Sequence, residues 1–255
     1  MNEVRAKKFL GQHFLTDEGI AKRIVDSLSP EVSRLLEIGP GMGVLTKYLI
    51  NRADTDFHVI EIDRESVAYL HDHYPTLDVV EGDFLKQDLS ALFHDTYAII
   101  GNFPYNISSQ ILFRVFDNRN QVSEVVGMFQ KEVAELVAAG PGSKTYGILS
   151  VLLSAFYNIE YLFTVQEHVF NPPPKVKSAV IRLKRNDIAE LECNERLFVQ
   201  VVKAGFNQRR KTLRNALQSA NLPVDTVPET ILAKRAEQLS VDEFITLTKT
   251  IQQCI

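Results

Sequence analysis

Asn102, Pro104 and Tyr105 stand together in "GNFPYNIS", directly after the apolar run "YAII". An amide, a proline carbonyl and an aromatic ring suit one chemistry well. An amino group on an aromatic ring is a poor nucleophile, because its lone pair is delocalised. Two acceptors, Asn102 Oδ1 and the Pro104 backbone oxygen, can hold both of its protons and aim the lone pair at a methyl group. Pro104 fixes its own φ and presses Phe103 towards an extended conformation, which helps present that carbonyl. Tyr105 can stack on a base, a contact of about 1–3 kcal/mol. Positioning and charge neutralisation then carry in-line methyl transfer to nitrogen, with no strong base needed. The plainer alternative is a turn that ends a strand.

A cofactor site is written upstream. "LLEIGPGMGVLTKYL" sets Gly39, Gly41 and Gly43 between a strand and a helix, where glycines permit a tight turn and close ligand approach. Glu61 ends the next strand, where a carboxylate can accept both ribose hydroxyls. Asp83, in "VVEGDFL", follows a third strand and can accept from an adenine amino group; its plainer role is an Asx turn. Nicotinamide cofactors favour G-x-G-x-x-G at a helix N-terminus facing a pyrophosphate. The spacing here is G-x-G-x-G, without a basic residue in the loop and with Glu37 just before it. That favours an adenosine cofactor without phosphates, such as S-adenosylmethionine.

The elements that must position these residues alternate along the chain. Strands are predicted at 34–38, 57–62, 77–82, 96–101 and 124–129, with helices at 43–52, 64–74, 108–118 and 130–139. Repeated strand–helix units imply crossovers and a mainly parallel sheet with helices on both faces. A helix over 146–158 precedes "IEYLFTV" and "KSAVIRLK", which read as an antiparallel edge pair around a proline-rich connection. Beyond about residue 187 only helical patterns remain, including "RRKTLRNALQSA". The expected division is a cofactor-binding domain at 1–186 and a small all-α domain at 187–255.

With 255 residues, 45% apolar and 24% charged, the composition is that of a soluble globular protein. No transmembrane run or secretory apolar core is present, so a cytoplasmic protein without a membrane partner is expected. Cys193 and Cys254 read as free thiols. His71 and His73 fall on different faces of one helix, and no metal site is expected. The net charge of −4 hides two basic segments. One carries Lys175, Lys177, Arg182, Lys184 and Arg185; the other carries Lys203, Arg209, Arg210, Lys211 and Arg214. Such patches bind phosphates even in an acidic chain, or else they are solvated faces.

Asn-x-Pro-Tyr after the fourth strand resembles the signature of amino-methyltransferases acting on adenine, cytosine or glutamine. "KKFLGQHFLTDEGIAKRIV", "LEIGPGMGVLT", "VIEIDRE", "EGDFL", "GNFPYNISSQILF", "FQKEVAELVAAGPGSKTYGILSVL", "FNPPPKVKSAVIRL" and "AGFNQRRKTLRNAL" follow in order. Together they resemble the ribosomal RNA adenine N6,N6-dimethyltransferases of the bacterial small-subunit type, over nearly the whole chain. His13 stands where that family usually has Asn, and Phe103 where Leu is commoner. The resemblance implies a class I methyltransferase fold and S-adenosylmethionine contacts at His13, Leu15, Gly39, Gly41, Glu61, Asp83 and Asn102. It implies adenine handling by Asn102, Pro104 and Tyr105. Phe170 becomes a candidate for the other side of an aromatic sandwich around a flipped base, with core packing the alternative. The implied substrate is a pair of adjacent adenosines in the terminal hairpin loop of small-subunit (16S) ribosomal RNA. The implied partner is the 30S subunit precursor, bound by a monomer. Lys175, Arg209, Arg210, Lys211 and Arg214 would contact phosphates.

The Erm-type enzymes of large-subunit RNA share the front motifs, but "FNQRRKTLRNAL" resembles the small-subunit tail. A nicotinamide oxidoreductase leaves Asn102–Tyr105 without a role. An assembly factor with secondary catalysis is compatible as an added role.

Overall fold

The structure is a computed structural model that describes residues 4–254. A seven-stranded sheet forms the centre. Its strands are β2 (Arg34–Ile38), β3 (Asp56–Glu61), β4 (Asp78–Glu81), β5 (Tyr97–Asn102), β6 (Val122–Gln130), β7 (Tyr157–Val165) and β9 (Ser178–Arg185). A separate antiparallel pair joins β1 (Phe14–Leu15) to β8 (Phe170–Asn171). The helices are α1 (Glu18–Val25), α2 (Thr46–Leu49), α3 (Arg64–His73), α4 (Ser108–Asp117) and α5 (Lys131–Val137). They continue as α6 (Ile148–Ser154), α7 (Glu195–Asn207), α8 (Leu213–Ser219), α9 (Glu229–Leu232) and α10 (Val241–Gln252).

The large sheet runs in the order β4-β3-β2-β5-β6-β9-β7. Strands β2 to β6 pair in parallel, and β9 lies antiparallel to β6. The chain builds outward from β2 through β3 to β4, then returns to β5 on the other side of β2. That reversal opens a crevice at the strands' carboxyl ends, where ligands bind in open α/β sheets. Central strands buried on both faces need continuous apolar sequence, and "YAII" supplies it. Alternate residues Leu35, Ala98, Ile100, Val126, Met128 and Val180 join one core cluster with Ala21, Ile24 and Val25 of α1.

Contact density divides the chain into two compact units. One takes in the chain up to Ala134 together with Glu160–Arg185; the other comprises Glu135–Ile159 and the chain from Asn186 onward. The second unit thus includes 135–159 as well as the C-terminal helices. Its caps are local: Asn194 accepts the Leu197 N–H at 3.0 Å, and Ser240 and Glu243 form a reciprocal capping box on α10.

Two helices are shorter than their sequence patterns. Gly43 takes a left-handed φ of +80°, so the backbone turns before α2 begins at Thr46. Instead of one helix over 146–158, α6 ends at Ser154 and β7 begins at Tyr157. Aromatic residues suit either state, and strand pairing decided here. The run "RRKTLRNALQSA" is not one helix either. Arg209, Arg210 and Lys211 lie in the turn between α7 and α8.

Candidate active site

The crevice at the reversal holds a pocket of about 930 Å3, including its open mouth. Gly39 and Gly41 from the β2–α2 loop, Glu61 from β3 and Asp83 after β4 line it. Asn102, Pro104 and Tyr105 line it from the end of β5. His13 and Phe14 close it from the N-terminal segment. The sequence-predicted carboxylates, glycines and Asn-x-Pro-Tyr turn therefore meet in one place. Phe14, Gly39 and Asn102 also line a second cavity of about 750 Å3, which reaches Glu37, Gly43 and Tyr74.

Glu61 is buried, and its two oxygens are each fixed. Oε2 accepts the Gly41 N–H at 3.0 Å, and Oε1 accepts the Asp63 N–H at 2.9 Å. Burial raises its pKa above the ordinary carboxylate value, while these amides oppose the shift. Glu37 is fully buried, and burial pushes its pKa up to about 8. Thr46 Oγ1 donates to Glu37 Oε2 at 2.7 Å. Asp83 makes its Asx turn, accepting the Leu85 N–H at 2.9 Å, while also lining the pocket. The Asx turn expected at Asp83 is present, and the residue stands on the pocket wall.

The Asn102 amide is oriented by one bond. Nδ2 donates to the His13 backbone oxygen at 2.9 Å, which leaves Oδ1 as the group's acceptor. The Pro104 oxygen accepts two long bonds, from the Ile107 N–H at 3.3 Å and Ser108 Oγ at 3.2 Å. The Tyr105 hydroxyl bonds Ser178 Oγ, and burial raises its pKa. Its ring lies 5.2 Å from the His13 ring, tilted by 30°. His13 Nδ1 contacts the Pro172 carbonyl at 2.7 Å. A carbonyl can only accept, so Nδ1 carries the proton. The imidazole is thus committed on one side to the proline-rich connection.

Beneath the turn, Phe103 is buried and packs on Phe129 with ring centroids 4.8 Å apart. A Cβ at Gly127 would stand 2.2 Å from the Phe103 ring. The bare backbone of β6 is what admits the ring there.

Four residues expected to touch cofactor or RNA are engaged within the fold. Phe170 is only 3% exposed and joins the core cluster with Leu15, Val165 and Val169, because β8 pairs with β1 and turns the ring inward. Leu15 is equally a core residue, and it also lines the second cavity beside Glu37. Arg209 donates to the Ser143 and Lys144 carbonyls at 3.3 and 2.5 Å, so it ties backbone within its own unit. Arg214 pairs with Glu229. Arg210, Lys211 and Lys175 are exposed.

Several lining residues escaped the sequence reading. Ile62 is 50% exposed and walls the pocket beside Glu61; its only signal was an apolar residue just past the strand-ending carboxylate. Phe14 approaches so closely that a Cβ at Gly41 would stand 2.9 Å from its ring. Lys7 and Gln12 both bind the Asp63 side chain, Gln12 at 3.1 Å, tying the N-terminal segment to the loop after Glu61. Burial pushes the Asp63 pKa up, but these bonds hold it below the ordinary value.

The pocket fits a phosphate-free adenosine cofactor. Among the described residues no Lys or Arg lines it, two carboxylates do, and its walls include Ile62, Phe84 and Phe103. A sheet of this order with such a pocket at its reversal defines a class I S-adenosylmethionine-dependent methyltransferase. Residues 3–253 match the family model described as ribosomal RNA adenine dimethylase. The chain belongs to that family.

Relatives agree along the full length. A ribosomal RNA small subunit methyltransferase A from Cytophaga hutchinsonii is 61% identical, covering 98% of this chain and 99% of its own. Its counterpart from Flavobacterium johnsoniae is 57% identical over 99% and 98% of the two chains. Among solved structures, a dimethyladenosine transferase from Plasmodium falciparum has a TM-score of 0.78 at 26% identity, covering 94% and 98%. The 23S rRNA methyltransferase ErmE has a TM-score of 0.68 at 25% identity, covering 92% and 99%.

Proposed function

We propose that this enzyme transfers methyl groups to N6 of two adjacent adenosines in the terminal hairpin loop of small-subunit ribosomal RNA. The observation that carries the reading is the Asn102–Tyr105 turn opening into the pocket beside Glu61 and Asp83. The small-subunit names of relatives at 57–61% identity over the full length favour that RNA over the large-subunit one.

Bound in the pocket, S-adenosylmethionine supplies an electrophilic methyl on a cationic sulfur. Glu61 accepts from the ribose hydroxyls with its remaining lone pairs. Asp83 accepts from the adenine amino group, and Ile62 packs on the adenine. Gly39 and Gly41 let the backbone approach the cofactor's middle, and His13 and Phe14 cover it. The cavity beside Glu37 takes the methionine end.

Asn102 Oδ1 accepts a hydrogen bond from one N6–H of the target adenine, since Nδ2 is held by His13. The Pro104 oxygen accepts from the other, replacing its long bond from Ser108 Oγ, a hydroxyl free to rotate. Tyr105 stacks on the base, braced by Ser178 and His13. Nitrogen gains acidity once alkylated, so its proton leaves to solvent without a strong base. Lys175, Arg210 and Lys211 contact phosphates, while Arg209 and Arg214 hold their own unit's surface in shape. Loop adenosines splay out at lower cost than paired ones, which suits such a pocket. The division of labour follows: the chain before about residue 187 binds cofactor and target base, and the helical remainder adds further RNA contacts.

The test is to treat unmodified small subunits with the protein and labelled S-adenosylmethionine, then map the label by mass spectrometry. Dimethyladenosine at two adjacent loop positions supports the reading. Label in large-subunit RNA, or none, overturns it.

A further inference from the structure

Phe9 has a 77% exposed side chain in a chain that buries most of its aromatic rings. It sits in the short turn Lys8–Leu10, and that turn is held from several directions. Behind it, Lys7 pairs with buried Asp63, and its N–H donates to Gln12 Oε1 at 2.8 Å. Ahead of it, Leu10 and Gly11 line the pocket. Asn106, next after Tyr105, donates from Nδ2 to the Phe9 carbonyl at 3.3 Å. Gly11 takes a left-handed φ of +66°, and a Cβ there would stand 2.6 Å from Asn106 Oδ1. The backbone of Phe9 is therefore pressed against the turn that carries Tyr105, while its ring meets solvent. Arg5 and Lys8 are exposed beside it.

An aromatic ring left in water forgoes its burial energy. A ring fixed at the rim of a nucleobase pocket and flanked by cations has the makeup of a stacking platform for single-stranded nucleic acid. We propose that Phe9 stacks on the RNA base adjoining the target adenine, with Arg5 and Lys8 near the flanking phosphates. This rests on the RNA-methylating reading above and deepens it. Extruding a base breaks stacking on its neighbours. Phe9 offers the neighbour a new face, so the flipped state loses less.

The chain contains no tryptophan, so Phe9→Trp introduces a sole indole. The probe is an RNA hairpin with two adjacent adenosines in its loop. We expect the hairpin to quench F9W fluorescence. Phe9→Ala should raise KM for unmodified small subunits about tenfold, the lower part of the range for one lost stack, with F9W near the wild-type value. S-adenosylhomocysteine affinity should stay unchanged in both variants. An unquenched indole, an unaltered KM in F9A, or a parallel loss of S-adenosylhomocysteine binding overturns the proposal, the last by making the segment a cofactor cover. Wild-type enzyme that labels no small-subunit RNA would instead sink the substrate reading itself. Wild-type labelling matched by F9A sinks only the stacking.

Discussion

Glu61→Gln separates what the carboxylate does for the fold from what it does for the cofactor. The wild-type group accepts one buried N–H on each oxygen, from Gly41 and Asp63. Glutamine keeps one acceptor and turns an NH2 towards the other amide, so two donors face each other. It also withdraws a charged acceptor from the ribose hydroxyls. A hydrogen bond to a charged group contributes about 1.5–3 kcal/mol. Losing one should weaken S-adenosylhomocysteine binding by roughly 10- to 150-fold. Stability should move less. Burial raises the Glu61 pKa, so removing the charge recovers a desolvation cost that offsets the donor clash. Calorimetry with S-adenosylhomocysteine measures the affinity, and thermal denaturation measures the fold. Binding to unmodified small subunits should be unchanged. A folded variant with wild-type cofactor affinity refutes the ribose contact. Equal loss of subunit binding refutes the separation of cofactor and RNA roles.

Asn102→Ala and Tyr105→Ala should each lower turnover on unmodified subunits sharply, whereas Tyr105→Phe keeps the ring and most activity; normal dimethyladenosine in either alanine variant, read by mass spectrometry, removes that residue's role. Gly127→Ala should destabilise the fold by about 1–3 kcal/mol, because a Cβ 2.2 Å from the Phe103 ring overpacks the core under the turn; an unchanged melting temperature counts against this. Removing the charges of Arg210 and Lys211 should weaken subunit binding and flatten its salt dependence, while Arg214→Ala should do so far less; a salt titration with equal slopes would exclude the pair. Glu37 holds its proton to about pH 8 in the folded state, whereas an ordinary glutamate releases it near 4.5. The folded state therefore binds the extra proton, and stability falls as pH rises from 4.5 through 8. Glu37→Gln should remove that decline, on the order of 5 kcal/mol; parallel denaturation curves for both proteins across the window would refute it.

Local pattern and local chemistry reveal much of the site. "YAII" before Asn102, the glycine run after "LLEI" and the carboxylates of Glu61 and Asp83 sit at strand ends in the sequence as they do in the fold. A parallel sheet brings all its carboxyl ends to one edge, so residues after successive strands converge whatever the loops do. The basic tail was legible as charge, but not as function. Arg209 and Arg214 have partners in the fold that only tertiary contact supplies.

Residue types and spacing by themselves determined the parallel sheet, the glycine turn and carboxylates at its strand ends and the Asn-x-Pro-Tyr turn after β5, because strand period and turn chemistry are local properties. Only the tertiary structure decided that Phe170 is core, that His13 holds Asn102 through its backbone oxygen, and that Lys7 and Gln12 tie the N-terminal segment to Asp63. Each of these depends on segments 50 to 160 residues apart meeting in space. Such pairings are set by sheet register and core packing, and neither is written in any short stretch of chain.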